Sequence, residues 1–459
     1  RMIWFTNSYK LASATMFMLF FAGDVYAPKT MIDGVPAQEY LQSHYIAAIK
    51  QIASRLKDFP QVIGYDSLNE PSDGWIGMQN LAVHDTENFL GETPTPYQSM
   101  LLGDGIPTEV DFFEMKSLGI KKTGTRLLNP DGLRAWQGDK VGVWRENGVW
   151  DYDDRGQPKL LRPDHFAQYN GRSVEFNNDF LKPFINRFGN EIRQADPDKL
   201  IFIESVPHKT MPAWTDEDIS GVVDSSHWYD DLTLITKHYR AFAGIDLITE
   251  RVVLGTGRVK NMFRHVLAGI KKRTVEKLGD SPTLIGEFGI PYDMDAKKAY
   301  ETGNFDRQEL ALDRSFQALE ANLLHATLWN YTPDNTNAHG DLWNEEDLSI
   351  FSRDQQTNPM DINSGARAPS AFIRPYPLAT AGEPLAFSFQ MRSKRFKFHF
   401  LGDPEVTAPT EIYVPTYHYG KGIKVAVSDG TYDYQPEVQR LYYWPEDPSG
   451  EHWVQINPG

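Results

Sequence analysis

Three glutamates stand at the ends of short apolar runs in the sequence, and they are Glu70, Glu204 and Glu287. Two carboxyl groups can together cleave a glycosidic bond, because one protonates the leaving oxygen while the other attacks the sugar or activates water. A lone glutamate in such a place has a plainer interpretation, in which it caps a helix or pairs with an arginine. The residues around each glutamate therefore decide which ones are candidates for a catalytic pair.

The contexts of Glu70 and Glu287 favour catalysis over a structural role. Glu70 stands between Asn69, which can donate to a sugar hydroxyl, and Pro71, which ends a strand and fixes the turn. Glu287 lies in the segment 285–289 with glycines on both sides, and glycine lets a sugar ring approach the backbone closely. Glu204 has no such context and is interpreted as a charge-tuning or structural residue.

Aromatic residues and one histidine supply further candidates. Trp329 ends an apolar run and can form a floor for a sugar ring, although a lone strand tryptophan belongs about as often to the core. His227 and Tyr229 are two positions apart, so on a strand they point to the same face. The tyrosine hydroxyl can then donate to a carboxylate and keep it ionised. A single histidine is more often structural, so this pair is supporting evidence only.

Five apolar runs predict buried parallel strands, and these runs are 62–68, 200–204, 221–227, 283–287 and 326–330. Apolar residues at helical spacing lie between or before them, over 41–56, 176–192, 266–278 and 310–324. Alternating helices and strands predict an α/β fold, a TIM (β/α)8 barrel whose active site lies at the carboxyl ends of its strands. Pro183 lies inside the second helical pattern and is expected to kink that helix.

The predicted domains are a catalytic barrel at 1–355 and an antiparallel β-sandwich at 376–459. Residues 71–170 form a long insertion in the barrel with few regular signals, and 352–383 is polar and rich in Pro, Ala and Gly, which is typical of a linker. Beyond the linker, short runs alternate between apolar and polar residues, as strands of a sandwich do. A barrel of this class has eight strands, so the first three are expected upstream of residue 1.

Composition excludes several classes of function. The net charge of −16 repels phosphate backbones, so no nucleic-acid partner is expected, and it allows at most peripheral contact with a membrane. The chain has no cysteine, which excludes disulfides and thiolate chemistry and suits a cytoplasmic protein.

No signal peptide is visible, and the apolar run 11–22 is shorter than a membrane-spanning helix, so a buried helix is expected. Metal-ligand spacing of the His-Glu-x-x-His type is absent, and no cofactor or metal is predicted.

The motifs at 68–71 (Leu-Asn-Glu-Pro), 227–229 (His-x-Tyr) and 286–289 (Gly-Glu-Phe-Gly), followed by Trp329, resemble glycoside hydrolase family 5. The segments 19–23, 27–29, 161–164 and, above all, 329–335 leading to 343–349 are similar to one branch of it. That branch holds the steryl β-glucosidases and glucosylceramidases, which are related to endoglycoceramidases. The likeness covers essentially the whole chain, and the long tryptophan-asparagine motif at 329–335 is its most specific part.

This resemblance implies roles for individual residues. Glu70 would be the acid/base and Glu287 the nucleophile of a retaining mechanism. Asn69, His227, Tyr229 and Trp329 would line the sugar site, and Glu346 would reach a sugar hydroxyl.

The first hypothesis is therefore a retaining β-glucosidase whose small-molecule or glycolipid substrate carries a hydrophobic aglycone, a sterol or ceramide. Two alternatives stay open. One is endo-action on ceramide oligosaccharides or on a soluble β-glucan. The other is a non-catalytic carbohydrate-binding protein.

Overall fold

The computed structural model describes residues 7–84, 90–116, 119–207, 209–246 and 251–459. The chain divides into two compact units, which are described separately. The first comprises Arg1–Asp224 with Val275–Pro282, and the second comprises Ser225–Thr274 with Thr283–Gly459.

The first unit contains a three-stranded parallel sheet. Its central strand, Leu200–Ile203, pairs in parallel with Gly64–Asp66 on one side and Val222–Asp224 on the other. Ile201 lies opposite both Tyr65 and Val222 in this register. Ile201 and Ile203 lie on one face of their strand and are fully buried, whereas Leu200 and Phe202 on the other face are partly exposed. Three of the five predicted strands are thus confirmed, each shorter than its apolar run.

The first unit contains helices Leu11–Tyr26, Ala37–Leu56 and Lys182–Arg193, and the predicted helices at these places are confirmed. Their shared core is aromatic: Phe20 contacts Phe184 edge-on with ring centroids 4.9 Å apart, and Tyr45 in the same way at 5.7 Å. Over the described residues, no helix combines the length and the apolar character that crossing a membrane requires.

The predicted irregularity at Pro183 takes the form of a π-helical turn. The helical backbone is continuous over 176–193, and its turn Asn177–Leu181 is π-helical directly before helix Lys182–Arg193. A locally wider turn of this kind accommodates a residue that has no N–H group to donate. The two pieces bury Phe180, Phe184 and Phe188 against the same core.

The insertion at 71–170 is more regular than its sequence indicates. It holds an antiparallel sheet of Gly91–Thr93, Thr108–Lys116 and Gly119–Leu128, with helix Pro96–Gly103 alongside. Thr95 and Gln98 form a reciprocal capping box at the start of that helix. The other short elements described in the first unit, inside or outside the insertion, are strands Met31–Ile32, Val35–Pro36, Trp150–Tyr152, Pro158–Leu160, Gln168–Tyr169 and Arg172–Ser173, and helix Val143–Glu146.

The second unit contains a parallel pair, Leu284–Phe288 and His325–Leu328, which confirms the other two predicted strands. Helices Thr256–Leu278 and Asp306–Ala321 supply Phe263, Leu267 and Leu312 to the core that buries Ile285 and Phe288. Both helices begin earlier than the apolar pattern indicates. Smaller elements are helices Asp231–Thr236 and Met294–Thr302 and the hairpin of Ala243–Asp246 with Arg251–Leu254.

The same unit ends in an antiparallel β-sandwich. One sheet orders its strands as Tyr376–Ala379, Thr410–Tyr413, Arg440–Trp444 and Thr431–Gln435, and the other as Gly382–Gln390, Arg395–Gly402, Glu451–Pro458 and Ile423–Val427. Alternate residues of both sheets, among them Phe398, Leu441 and Val454, meet in one buried core. A short helix, Thr416–Tyr419, connects the sheets. The predicted sandwich is present, whereas the domain boundaries at 355 and 376 stay predictions.

The segment 352–383 is not a free linker throughout, which corrects that expectation: residues 353–363 are mostly exposed, but 364–375 are buried or half-buried. It contains the short helices Arg353–Gln355 and Pro369–Phe372. Arg374 is buried and pairs with Asp313 at 2.6 Å and Glu320 at 2.7 Å, so charges that composition assigns to a solvated stretch are internal.

Candidate active site

Glu70 lies four residues beyond strand Gly64–Asp66, on a segment that continues the sheet. The Ser67 N–H donates to the carbonyl of Phe202 at 2.9 Å, which extends the parallel pairing toward Glu70. Glu70 has a backbone φ of 43°, an uncommon conformation for a residue with a side chain. Its side chain is half-buried and that of Asn69 is exposed. The first catalytic candidate is therefore held by its backbone at the carboxyl end of a parallel strand.

Glu204 fixes this backbone conformation. One of its carboxylate oxygens, Oε2, accepts a hydrogen bond of 2.8 Å from the backbone N–H of Glu70. Glu204 is itself only 4% exposed and follows the neighbouring strand Leu200–Ile203. The structural interpretation of Glu204 agrees with this contact, since a buried carboxylate needs a donor.

Tyr45 is a residue that sequence reasoning missed. Its hydroxyl donates to the carbonyl of Ser67 at 2.9 Å and so anchors the segment that carries Glu70. Burial, followed by the charges of Asp66 and Glu204, raises the pKa of Tyr45 to about 12. Tyr45 therefore stays a hydrogen-bond donor at every physiological pH. Helical spacing indicates only that Tyr45 faces the core, and no local signal reveals its partner.

Glu287 lies on strand Leu284–Phe288 with two polar neighbours from one segment. Its Oε2 atom accepts a 2.8 Å hydrogen bond from the hydroxyl of Tyr229, and the His227 Nδ1 atom lies 3.3 Å from the same oxygen. The side chains of His227 and Glu287 are 8% and 14% exposed. His227 and Tyr229 are predicted to share a face because they are two positions apart, and both side chains do lie beside Glu287.

Backbone pairing holds this arrangement in place. The N–H of Gly286 donates to the carbonyl of Ser226 at 3.0 Å, and the N–H of Trp228 donates to the carbonyl of Glu287 at 2.9 Å. The segment carrying His227 and Tyr229 therefore runs beside strand Leu284–Phe288, and their side chains are set by its register.

The two glycines near Glu287 serve the protein's own packing, and their predicted role in making room for a sugar stays a prediction. A Cβ atom on Gly286 would lie 2.4 Å from the carbonyl oxygen of Ser225, and one on Gly289 would lie 2.2 Å from that of Trp329. Both distances are shorter than any real contact, so glycine is required for the neighbouring backbones to approach.

Trp329 follows strand His325–Leu328, and its backbone N–H donates to the carbonyl of Phe288 at 2.9 Å. Its ring is half-buried and meets that of Trp343 edge-on, with centroids 6.5 Å apart. Trp343 is itself 51% exposed. Trp329 is thus not a core residue, and two indole rings stand together at the end of this strand.

Glu346 belongs to the loop 329–352, which a buried polar network holds together. Glu346 accepts a 2.8 Å hydrogen bond from the side chain of Asn344. Deeper in the loop, the amide of Asn335 donates to Asp341 at 2.8 Å and to Asp347 at 2.9 Å. The fully buried Arg367 donates to Asp347 at 2.7 Å.

Burial also raises the pKa of Tyr300 far above its ordinary value, which keeps its hydroxyl protonated to donate to Asp347. Sequence reasoning identified the loop as a motif but not Arg367 or Tyr300, which reach it from outside.

Comparisons with known proteins agree on one family. The model of the glycoside hydrolase family 5 C-terminal domain matches residues 374–456, which include all eight sandwich strands apart from the last two residues of Glu451–Pro458. The chain is 35% identical to a glucosylceramidase of Rhizopus delemar over 471 residues, covering 96% of this chain and 68% of the relative. It is 31% identical to the ergosteryl-beta-glucosidase of Saccharomyces cerevisiae, covering 99% of this chain and 72% of the relative.

The crystal structure of Cryptococcus neoformans sterylglucosidase 1 superposes with a TM-score of 0.91 at 33% identity, covering 100% of this chain and 73% of that one. A relative of this identity and TM-score shares the fold of this chain. The chain therefore belongs to glycoside hydrolase family 5, in the branch of the glucosylceramidases and steryl glucosidases, and is a glycosidase.

Proposed function

We propose that the protein is a retaining β-glucosidase that acts on glucosides with a hydrophobic aglycone, such as a sterol or a ceramide. The observation that carries the proposal is the placement of Glu287, largely buried on a strand with Tyr229 donating to it. The names of its relatives, a glucosylceramidase and two steryl glucosidases, support the choice of aglycone.

Glu287 is the proposed nucleophile. A carboxylate that attacks an anomeric carbon must be ionised, and a hydroxyl donor at 2.8 Å favours the ionised form. The Nδ1 atom of His227 lies 3.3 Å from the same oxygen. The attack forms a covalent glucosyl-enzyme with inversion at the anomeric carbon, and hydrolysis by water inverts it a second time.

Glu70 is the proposed acid/base. Its carboxyl group would give a proton to the leaving oxygen of the aglycone and then take one from the attacking water. The hydrogen bond from its backbone N–H to Glu204 fixes the starting point of the side chain, which leaves only side-chain torsions to be set by the substrate.

The proposal includes the closure of the parallel strands into a (β/α)8 barrel. Glu70 and Glu287 each stand at the carboxyl end of a parallel strand, and in a barrel all such ends open on one mouth. Retention then requires the two carboxyl groups to meet at about 5 to 5.5 Å across the scissile bond.

The sugar site is proposed to include residues from three segments. Asn69 would donate to the sugar 2-OH, a contact that strengthens in the transition state. Trp329 would lie under the apolar face of the ring, and Glu346 would accept from a hydroxyl. His227 and Tyr229 complete the set through Glu287.

The test is an assay on a glucosylated sterol, glucosylceramide and an aryl β-glucoside, with the products separated by size. The proposal expects free glucose from the lipid glucosides. If an intact oligosaccharide is released from a ceramide glycan and no glucose is released from a lipid monoglucoside, the enzyme is endo-acting and the proposed β-glucosidase activity is wrong. Sugar binding in a calorimeter with no hydrolysis of any of the three would leave a non-catalytic carbohydrate-binding protein.

A further inference from the structure

Six cationic side chains gather at one end of the C-terminal sandwich, in the second compact unit. They belong to the outer face of the sheet that contains strand Arg395–Gly402 and to the turns at that end, and we name them together the cationic surface: Arg392, Lys394, Arg395, Lys397, Lys421 and Lys424. Lys394 is half-buried and the other five are exposed.

Strand alternation puts these charges on the outside. Phe396 and Phe398 point into the sandwich core and are fully buried, so Arg395 and Lys397 on the same strand point outward. Lys424 belongs to the edge strand Ile423–Val427 and lies opposite Asn457 on the neighbouring strand. The Nε–H group of Arg395 donates to the side chain of the same asparagine. Arg395 and Lys424 thus lie on either side of Asn457, and Lys397 is two residues further along the strand from Arg395. All three cations are on the outer face of the sheet.

The neighbours in these rows carry no compensating charge. Arg395 lies opposite Gln390, and Lys397 lies opposite Ser388 on one side and Gln455 on the other. Two acidic residues, Glu383 and Glu451, belong to the strands that pair with Arg395–Gly402. Both lie opposite Leu401, at the end of that strand away from Arg395. The positive charge is therefore concentrated at the turn end of the sheet.

This local charge contrasts with the net charge of −16 on the whole chain. At physiological ionic strength, salt screens the interaction between charges that are more than about 8 Å apart. A charged membrane in contact with this face therefore interacts with the cationic surface and only weakly with distant carboxylates. The net charge of the whole chain therefore does not determine how a surface presented in this orientation interacts with anionic lipid.

Apolar side chains continue the same face beyond the charges. Trp453 lies opposite His399 in the next row and is 37% exposed, and Leu401 beyond it is 40% exposed. Tryptophan with basic residues is the composition of surfaces that lie at the headgroup level of a bilayer. A nucleic acid would fit less well, because a long polyanion extends past the patch into the field of the acidic remainder.

We propose that the cationic surface docks the protein peripherally on an anionic lipid bilayer, with Trp453 at the headgroup level. The inference concerns a surface of the sandwich and does not depend on the proposed function.

The experiment measures flotation of the full chain with vesicles of phosphatidylcholine alone and of phosphatidylcholine with phosphatidylserine. The test variant combines R395Q, K397Q and K424Q. The control variant combines K57Q, R155Q and K159Q, three exposed cations in the other compact unit, and it reaches the same net charge. Each basic residue near an anionic surface strengthens binding about fivefold, so the test variant should bind about 100-fold more weakly while the control is unchanged.

Hydrolysis of a soluble aryl β-glucoside, equal in all three proteins, shows that the variants are folded and separates this inference from the question of activity. Should the chain lack activity, the circular dichroism spectrum and unfolding midpoint provide that check. Equal binding of the wild type to both kinds of vesicle, binding to neither, equal loss in the control, or tighter binding to a single-stranded RNA than to anionic vesicles would each overturn the proposal.

Discussion

Two polar side chains converge on one oxygen of Glu287, and at the scale of single residues this contact is the most informative in the molecule. Tyr229 donates at 2.8 Å, and His227 lies at 3.3 Å. Both follow from the two-residue spacing of the sequence, because alternate residues of an extended segment share a face. Tyr45 and Arg367 could not be found in this way, since their partners are distant in the chain.

Replacing Tyr229 by phenylalanine removes one hydroxyl donor and little else. We expect kcat for an aryl β-glucoside to fall about 10- to 100-fold, because a rate loss of this size corresponds to the free energy of one hydrogen bond to a charged group. The carboxylate of Glu287 then takes up a proton more readily, so the acidic limb of the pH–rate profile should move to higher pH. An unchanged rate and profile would mean that Tyr229 does not act through Glu287.

Glu287→Gln keeps the size of the side chain and removes the nucleophile. We expect turnover to be lost while the unfolding midpoint changes little. Glu301→Gln, an exposed position on helix Met294–Thr302, is the matched control and should retain full activity. Wild-type turnover in the Glu287 variant would exclude this residue from the mechanism.

At the scale of elements, long apolar runs were predictable and polar elements were not. The five parallel strands follow from runs such as 200–204, because a short continuous apolar run is typical of a strand in a parallel sheet. The hairpin of Thr108–Lys116 and Gly119–Leu128 has polar residues on both faces, so neither strand gives a periodic signal. The segment 352–383 looks like a linker because its composition does not reveal that Arg367 and Arg374 are buried.

The loop 329–352 depends on the buried pair of Arg367 and Asp347. Arg367→Met would leave the Asp347 carboxylate, 2% exposed, without its cation, which typically costs about 3–5 kcal/mol of unfolding free energy. Urea denaturation measures this loss. Because the loop carries Trp343 and Glu346, we also expect KM to rise.

Arg353→Met is the control for that variant. Arg353 pairs with Asp334 on the surface, where both side chains are more than half exposed, so its loss should cost about 0–1 kcal/mol. Similar costs for the two variants would contradict the role given to the buried network.

At the scale of the whole molecule, the two catalytic candidates belong to different compact units of the chain, Glu70 to the first and Glu287 to the second. The sequence indicates each of them through its own strand, but no local pattern reports the distance between two residues so far apart. Net charge does not describe individual surfaces at this scale, because it averages over the cationic surface and the acidic remainder.

The central claim is that Glu287 forms a covalent bond to the sugar while Glu70 serves as acid/base. A 2-deoxy-2-fluoro-β-glucoside with a good leaving group tests it, since fluorine at C2 disfavours the oxocarbenium-like transition states and lets the glucosyl-enzyme accumulate. The account predicts one fluoroglucosyl group per chain, located by peptide mass spectrometry on Glu287. A label on Glu70 or another residue, or hydrolysis of the parent substrate with inversion at the anomeric carbon, would contradict it.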